Sequence, residues 1–377
     1  MQFLFLLGRL ADLSFAELQA LCPATLLLSN VAVVELPGDK EAIELQNALG
    51  GSIKVAQVVK KIPVLDESDL INQVTEVLQG LVTAGQTKIS FGVAEFGRTN
   101  VPSVDLAAIK EKLSESDIRG RFVESPREGL SASVLLHQNV EEVWLVFSED
   151  MVTFAYTIGV QNIDQWTLRD RRKPESDRKR GMLPPKLARM MLNLATGGKP
   201  NLRVYDPMCG TGTVLLEAMT LDMTAIGSDI RQEAADQASA NTKWLKDEYH
   251  LSNDALVFCA DATHVTVEQL GGQVDAIVVE GLLGPQTPAK GALPGIFKGL
   301  EKLYIGTFKQ WTKILKDGGK ICIALPLIEE TGRQRFSLES VIDRVKDIGY
   351  TTSSVFVYDR PDTIVKRQIF VLEYVTR

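Results

Sequence analysis

The residue types best suited to chemistry lie between positions 203 and 219, Arg-Val-Tyr-Asp-Pro-Met-Cys-Gly-Thr-Gly-Thr-Val-Leu-Leu-Glu-Ala-Met. The pattern predicts a buried strand ending at Asp206, a turn carrying Gly210 and Gly212, and an apolar helix opening at Thr213. Glycine has no Cβ, so these two positions can take positive φ and let a bulky ligand reach the backbone N–H groups. Such a turn, with a carboxylate beside it, cradles a nucleotide-like cofactor. The third glycine of a dinucleotide fingerprint is absent, because Leu215 stands three residues after Gly212. Asp229, seventeen residues after Gly212, ends the next strand-like run at the place where a carboxylate meets ribose hydroxyls. Asp261 closes a third, Leu-Val-Phe-Cys-Ala-Asp.

Three successive strands ending in carboxylates resemble the S-adenosylmethionine (SAM) cradle of class I methyltransferases more than a nicotinamide site. The resemblance implies that Asp206, Met208, Cys209, Gly210, Thr211, Gly212 and Thr213 meet the methionine part of SAM. By the same resemblance Asp229 and Ile230 meet the ribose, and Asp261 and Ala262 the adenine edge. A doubly wound domain with acidic loop starts and no ligand is the alternative reading.

The elements that must hold these residues are legible from periodicity. Strands near 203, 225, 256, 275 and 320 alternate with helical segments, which predicts right-handed βαβ crossovers and a parallel sheet. Runs 353–358 and 368–374 are separated by nine residues, too few for a helical crossover, so they are expected to pair antiparallel. Five parallel strands and a terminal antiparallel hairpin make the seven-stranded, Rossmann-like α/β sheet of a class I methyltransferase. Ahead of it the sequence predicts a separate α/β region. Its strands are expected at 3–7, 26–36, 88–97, 131–137, 143–147 and 151–158, with helices at 41–49, 64–81 and 104–114. Ser14 and Glu17 are expected to form a capping box that opens a short helix.

At 377 residues, 45% apolar and 24% charged, the chain can bury substantial cores and form two domains. Four cysteines without C-x-x-C spacing and three scattered histidines suggest neither a disulfide framework nor a metal site. There is no run of eighteen apolar residues, and the start lacks a basic leader and a small-residue cleavage site, so a cytoplasmic protein with no membrane association is expected. The net charge of −7 is unevenly spread, −10 over residues 1–168 and +3 over 169–377. Seven basic residues, Arg169, Arg171, Arg172, Lys173, Arg178, Lys179 and Arg180, stand within twelve positions against three acidic ones. Such a run can neutralise phosphates, or it can be a solvated linker.

Three segments resemble the THUMP-containing RNA methyltransferases, and above all the tRNA guanosine-N2 methyltransferases. They are the basic stretch running into Met-Leu-Pro-Pro-Lys-Leu-Ala (182–188), the N-terminal Leu-Leu-Gly-Arg-Leu with Leu-Gly-Gly-Ser-Ile-Lys-Val-Ala (49–56), and the closing Tyr-Asp-Arg-Pro-Asp-Thr-Ile-Val-Lys-Arg-Gln-Ile-Phe-Val-Leu-Glu. The resemblance implies an N-terminal region over 1–165 with a THUMP-like, RNA-binding module at about 60–160, a basic linker at 166–182 and a SAM-dependent methyltransferase domain at 183–377. It also implies Met182, Leu183 and Pro184 near the cofactor, and tRNA as partner, with any protein partner left open.

Methyltransferases of that kind carry Asp, Asn or Ser, two prolines and an aromatic residue after the fourth strand. A side-chain oxygen and a carbonyl orient the poorly nucleophilic amine, and the ring stacks on the extruded base. Here the segment reads Glu280-Gly281-Leu282-Leu283-Gly284-Pro285, which keeps an acceptor and a carbonyl and loses the prolines and the ring. Glu280, Gly281 and Leu282 are therefore the catalytic candidates for methylation of a guanosine amine in tRNA. An RNA-binding protein that keeps the SAM fold without turnover, and a DNA amino-methyltransferase, remain as alternatives. Cys322 reads as a core thiol, His137 as a strand end, and Trp166 as a packing residue or a base-stacking one.

Overall fold

The computed structural model describes residues 1–64, 66–98, 103–177, 182–289, 291–329, 335–360 and 363–376. The chain divides into two compact units, Met1–Asp164 and Gln165–Arg377. In chain order the first contains β1 (Gln2–Leu7), α1 (Ala11–Leu21), β2 (Ala24–Leu28), β3 (Val31–Glu35), α2 (Asp39–Ala48), β4 (Ser52–Pro63), α3 (Glu67–Leu81), β5 (Lys88–Phe96), α4 (Leu106–Glu115), β6 (Arg119–Phe122), α5 (Ala132–His137), β7 (Glu141–Ser148) and β8 (Met151–Val160). Its strands join in the order β2-β3-β1-β4-β8-β7-β5-β6. The helices cover the sheet through apolar stripes. On α3, Leu70, Val74, Val77 and Leu78 are buried at helical spacing, and Asp66 caps the helix by accepting from the Asp69 N–H at 2.9 Å. Inside this unit Lys54 and Glu142 form a buried ion pair at 2.8 Å, and Glu142 also accepts from Trp144, Thr157 and the Leu130 N–H. That full set of donors is what allows a carboxylate to sit at zero exposure.

Helix α6 (Ile163–Thr167) and a π-helical turn, Leu168–Arg172, lead into α7 (Pro185–Thr196), β9 (Arg203–Asp206), α8 (Thr213–Met219), β10 (Thr224–Asp229), α9 (Gln232–Tyr249), β11 (Leu256–Cys259), α10 (Val267–Leu270), β12 (Val274–Glu280), α11 (Leu293–Ile314), β13 (Leu315–Glu329), β14 (Arg335–Phe336), α12 (Glu339–Val345), β15 (Tyr350–Tyr358) and β16 (Lys366–Tyr374). The strand order is β11-β10-β9-β12-β13-β16-β15, with β14 pairing only β13. The first five are parallel, and β16 inserts antiparallel between β13 and β15. This is the expected sheet with its terminal hairpin. A parallel sheet is covered on both faces, which is why β12 can run Ala-Ile-Val-Val without a polar interruption. Helix α11 buries Leu293, Phe297, Leu300, Tyr304, Phe308 and Trp311 along one stripe. At about 1.5–3 kcal/mol per fully buried large side chain, that stripe anchors the helix by something on the order of 10 kcal/mol before entropy.

Several local expectations are corrected. Residues 131–137, expected as a strand, form α5, because Ser131 caps it by accepting from Val134 N–H, and a short apolar run does not distinguish helix from strand. Ser14 opens no capping box. It lies inside α1 with its hydroxyl on the Leu10 carbonyl, while Glu17 is buried and accepts from the Gly50 and Gly51 N–H groups, at 2.8 Å each. The single strand expected over 26–36 is the hairpin β2–β3. Strands β4 and β6 were not expected. Among the described residues no helix is long and apolar enough to cross a membrane.

Candidate active site

Strands β9 and β12 are neighbours, and the direction in which the sheet is built out reverses between them. In open α/β sheets such a reversal opens a crevice at the carboxyl ends of the strands. Asp206 ends β9, Asp229 ends β10 and Glu280 ends β12, so three carboxylates converge there. A cleft of about 780 Å³ is lined by Asp229, Asp261, Glu280 and the 281–286 segment. It shares Met208, Gly210, Arg231 and Glu280 with a narrower one of about 90 Å³ that holds Asp206, Met182, Leu183, Thr211 and Thr213. The larger volume is within the range of a nucleotide-sized ligand.

The glycine turn is built as its sequence suggests, with each glycine doing a different job. Both have positive φ, 51° at Gly210 and 84° at Gly212. A Cβ at Gly210 would meet nothing within 4 Å, so this glycine opens backbone to the cleft. One at Gly212 would lie 3.2 Å from Ala238 Cβ, so that glycine lets α8 and α9 approach. Asp229 fastens the turn to the next strand, Oδ2 accepting from Gly210 N–H at 3.1 Å and Oδ1 from Arg231 N–H at 3.0 Å. Asp206 is 3% exposed and accepts from Met208 N–H at 3.1 Å. Burial first, then the charges of Asp229 and Glu280, push its carboxyl well above the usual range. A carboxylate so placed is one that a bound cation would stabilise. Asp261 is held below the usual range by the N–H and hydroxyl of Thr263, with Ala262 buried beside it and Ile230 exposed at the rim. Met182 receives the Thr211 hydroxyl on its sulfur at 3.8 Å, Leu183 is 4% exposed, and Pro184 stands at the N-cap position of α7 without a side-chain capping bond. Of the expected cofactor residues, all but Pro184 and Gly212 line one or the other of these two cavities.

Without proline, the 280–283 segment is held by two hydrogen bonds. Gly281 N–H donates to Ala324 O at 2.9 Å, and the Tyr304 hydroxyl donates to the Leu282 carbonyl at 3.1 Å. A Cβ on Gly281 would fall 2.3 Å from Tyr304 Oη, so the tyrosine occupies the space a side chain here would need. Glu280 pairs with the Nε–H of Arg367, a 9%-exposed residue of β16. Leu282 is exposed and lines the larger cleft. Arg367 and Tyr304 were not anticipated. The sequence signal for the first was a basic pair, Lys366 and Arg367, opening the last strand.

The basic run is split by the fold. Arg169, expected to touch RNA, points inward. Its Nε and Nη2 donate to Glu217 at 2.6 and 3.3 Å and its Nη1 to Tyr249 Oη at 2.9 Å. Glu217 also receives Arg189 at 2.7 Å, and Trp166 stacks against Arg169 at 4.5 Å, which makes the tryptophan a packing residue. Lys173 is likewise buried, donating to Thr213 Oγ1 at 3.1 Å, and burial lowers its pKa. The fold corrects both residues from phosphate contacts to interior ones, since a guanidinium fork on a carboxylate and a desolvated ammonium are unavailable to RNA. Arg171 and Arg172 are exposed. Arg178, Lys179 and Arg180 lie outside the described residues. Cys322 is fully buried, which pushes its thiol up, and Cys209 is 6% exposed and likewise raised. His137 ends α5, 3.4 Å from Asp164.

Residues 171–281 match the family described as RMKL-like, methyltransferase domain. The chain is 32% identical over 163 residues to the tRNA (guanine(10)-N2)-dimethyltransferase of Methanothermobacter thermautotrophicus, covering 43% of this chain and 42% of that one. It is 30% identical over 115 residues to a protein of Methanothermococcus thermolithotrophicus named as a probable tRNA (guanine(10)-N2)-dimethyltransferase, covering 30% of this chain and 70% of that one. The chain spans about half the length, or less, of the first three curated relatives it matches. Among solved structures, TrmN from Thermus thermophilus superposes over the whole of both chains with a TM-score of 0.56 at 19% identity, a likeness of fold.

Proposed function

The chain belongs to the RMKL-like methyltransferase family, and from that premise we propose that it transfers a methyl group from SAM to the exocyclic amine of a guanosine in tRNA. The observation that carries this reading is the convergence of Asp206, Asp229 and Glu280 at the strand ends beside a glycine turn open to the cleft. When bound, SAM supplies an electrophilic methyl on a positively charged sulfur.

The chain's own residues fit that ligand. Buried Asp206 holds the cationic methionine end, with Met182, Leu183, Thr211 and Thr213 closing around it. Asp229 would hold the ribose, and Asp261 with Ala262 the adenine, all three lining the larger cleft. Glu280 and the Gly281 carbonyl accept hydrogens from the target amine, and Leu282 and Leu283 bear on the base face. Because the donor carbon is already activated, these residues contribute chiefly by position. Stacking on an aromatic ring is worth about 1–3 kcal/mol per base, so leucines in its place leave base capture weaker. Exposed Arg171 and Arg172 remain the phosphate contacts of this reading, and tRNA in the cytoplasm is the partner.

The test is nucleoside mass spectrometry on tRNA incubated with the purified protein and SAM. N2-methylguanosine is expected, and Glu280→Ala should lower its formation by at least about 100-fold. Undiminished methylation by Glu280→Ala removes the role given to that residue. A wild type that binds SAM and methylates no RNA favours the non-catalytic reading.

A further inference from the structure

We propose that Arg367 and Glu280 act as one base-reading pair, in which Arg367 selects guanine by its O6 while Glu280 takes the N1–H and amine. This deepens the guanine reading above and rests on it. Arg367 comes from the terminal hairpin, outside the cofactor turn and the 280–285 segment, yet its side chain lines the larger cleft. It is 9% exposed, and its guanidinium sits over the Tyr358 ring at 5.9 Å, which limits the planes it can adopt.

A buried guanidinium ordinarily commits its five donors to acceptors. Arg367 spends Nε on Glu280 Oε1, and among the described residues neither its Nη groups nor Glu280 Oε2 has a protein hydrogen-bond partner. The cleft therefore carries, side by side, uncommitted donors and an uncommitted carboxylate oxygen. Guanine's Watson–Crick edge has the complementary order: the O6 acceptor, then the N1–H and N2–H donors. Adenine presents an amine where guanine has O6 and a bare nitrogen where guanine has N1–H, which would set donor against donor at Arg367 and acceptor against acceptor at Glu280. A bidentate match of this kind discriminates by about 5- to 150-fold.

The experiment uses the full chain and ligated tRNA carrying either guanosine or 2,6-diaminopurine at the position that mass spectrometry identifies as methylated. Diaminopurine keeps the 2-amine but replaces O6 with an amine and N1–H with a bare nitrogen. The wild type should prefer the guanosine tRNA by about 10- to 100-fold in kcat/KM. Arg367→Gln should abolish that preference by raising KM for the guanosine tRNA alone, with Arg367→Lys intermediate and SAM affinity unchanged. If Arg367→Gln lowers both substrates equally, or if the lysine variant behaves as wild type, the residue only braces Glu280 and the inference is overturned. If the wild type methylates neither tRNA, the proposed reaction fails. The base-reading pair is then decided by equilibrium binding of GMP and 2,6-diaminopurine riboside monophosphate, where equal affinities overturn it and a preference for GMP that Arg367→Gln removes sustains it.

Discussion

Replacing Gly281 by proline restores on paper what related amine-methylating sites carry, and it should damage this protein. The substitution removes the N–H that donates to Ala324 O, a loss of about 0.5–1.5 kcal/mol. It also drives a carbon to within 2.3 Å of Tyr304 Oη and 2.9 Å of Cζ. The tyrosine cannot retreat cheaply, since it is fully buried on the α11 stripe with its hydroxyl tied to Leu282. Overpacking of that kind costs about 1–3 kcal/mol. Together the terms predict a loss of about 1.5–4.5 kcal/mol, which in a unit of this size lowers Tm by roughly 3–18 °C. Gly281→Ala keeps the N–H and should show only the steric part. Adding Tyr304→Phe to Gly281→Ala removes the closest contact and should recover some of it, even though Tyr304→Phe alone costs the Leu282 hydrogen bond. Urea and thermal unfolding of the four variants measure the terms separately. A Gly281→Pro protein as stable as wild type, or a double variant no more stable than Gly281→Ala, would refute the account of how this segment is held.

Two further predictions concern groups whose environment the fold decides. Asp206 has a raised folded pKa, so between its unfolded and folded values the native state holds the extra proton, and the ligand-free protein loses stability as pH rises through that window. Asp206→Asn should flatten this pH dependence and stabilise the ligand-free protein at neutral pH while weakening SAM binding by calorimetry; an unchanged pH profile would contradict it. In the basic run, Arg171→Ala and Arg172→Ala should each reduce the salt dependence of tRNA binding by about one unit of log–log slope, whereas Arg169→Ala should leave the slope intact and lower unfolding stability by about 3–5 kcal/mol, by breaking the buried Glu217 cluster. A slope change for Arg169→Ala at full stability would return that residue to the RNA surface.

The sequence was most legible where a local pattern dictates local geometry. The strand, glycine turn and helix around Asp206 follow from the absence of Cβ at 210 and 212, and the short gap between the last two strand runs leaves antiparallel pairing as the only connection. It was least legible where the same local pattern serves two structures. The apolar run at 131–137 became a helix once Ser131 capped it, and Ser14 with Glu17 matched a capping box whose carboxylate in fact holds two glycine N–H groups thirty-odd residues away.

What the sequence by itself determined, then, is the cofactor cradle and the sheet that presents it, because periodicity, glycine and strand-end carboxylates act over a few residues. Which charges are offered to a ligand was decided only by tertiary structure. Seven cations within twelve positions look equivalent on paper, but Arg169 is consumed by Glu217, forty-eight positions on, and Lys173 by burial against Thr213. Glu280 acquires Arg367 from a strand eighty-seven residues later, and Gly281 is required by a tyrosine from another helix. Charge pairing and steric exclusion depend on distance in space, and that distance exists only once the chain has folded.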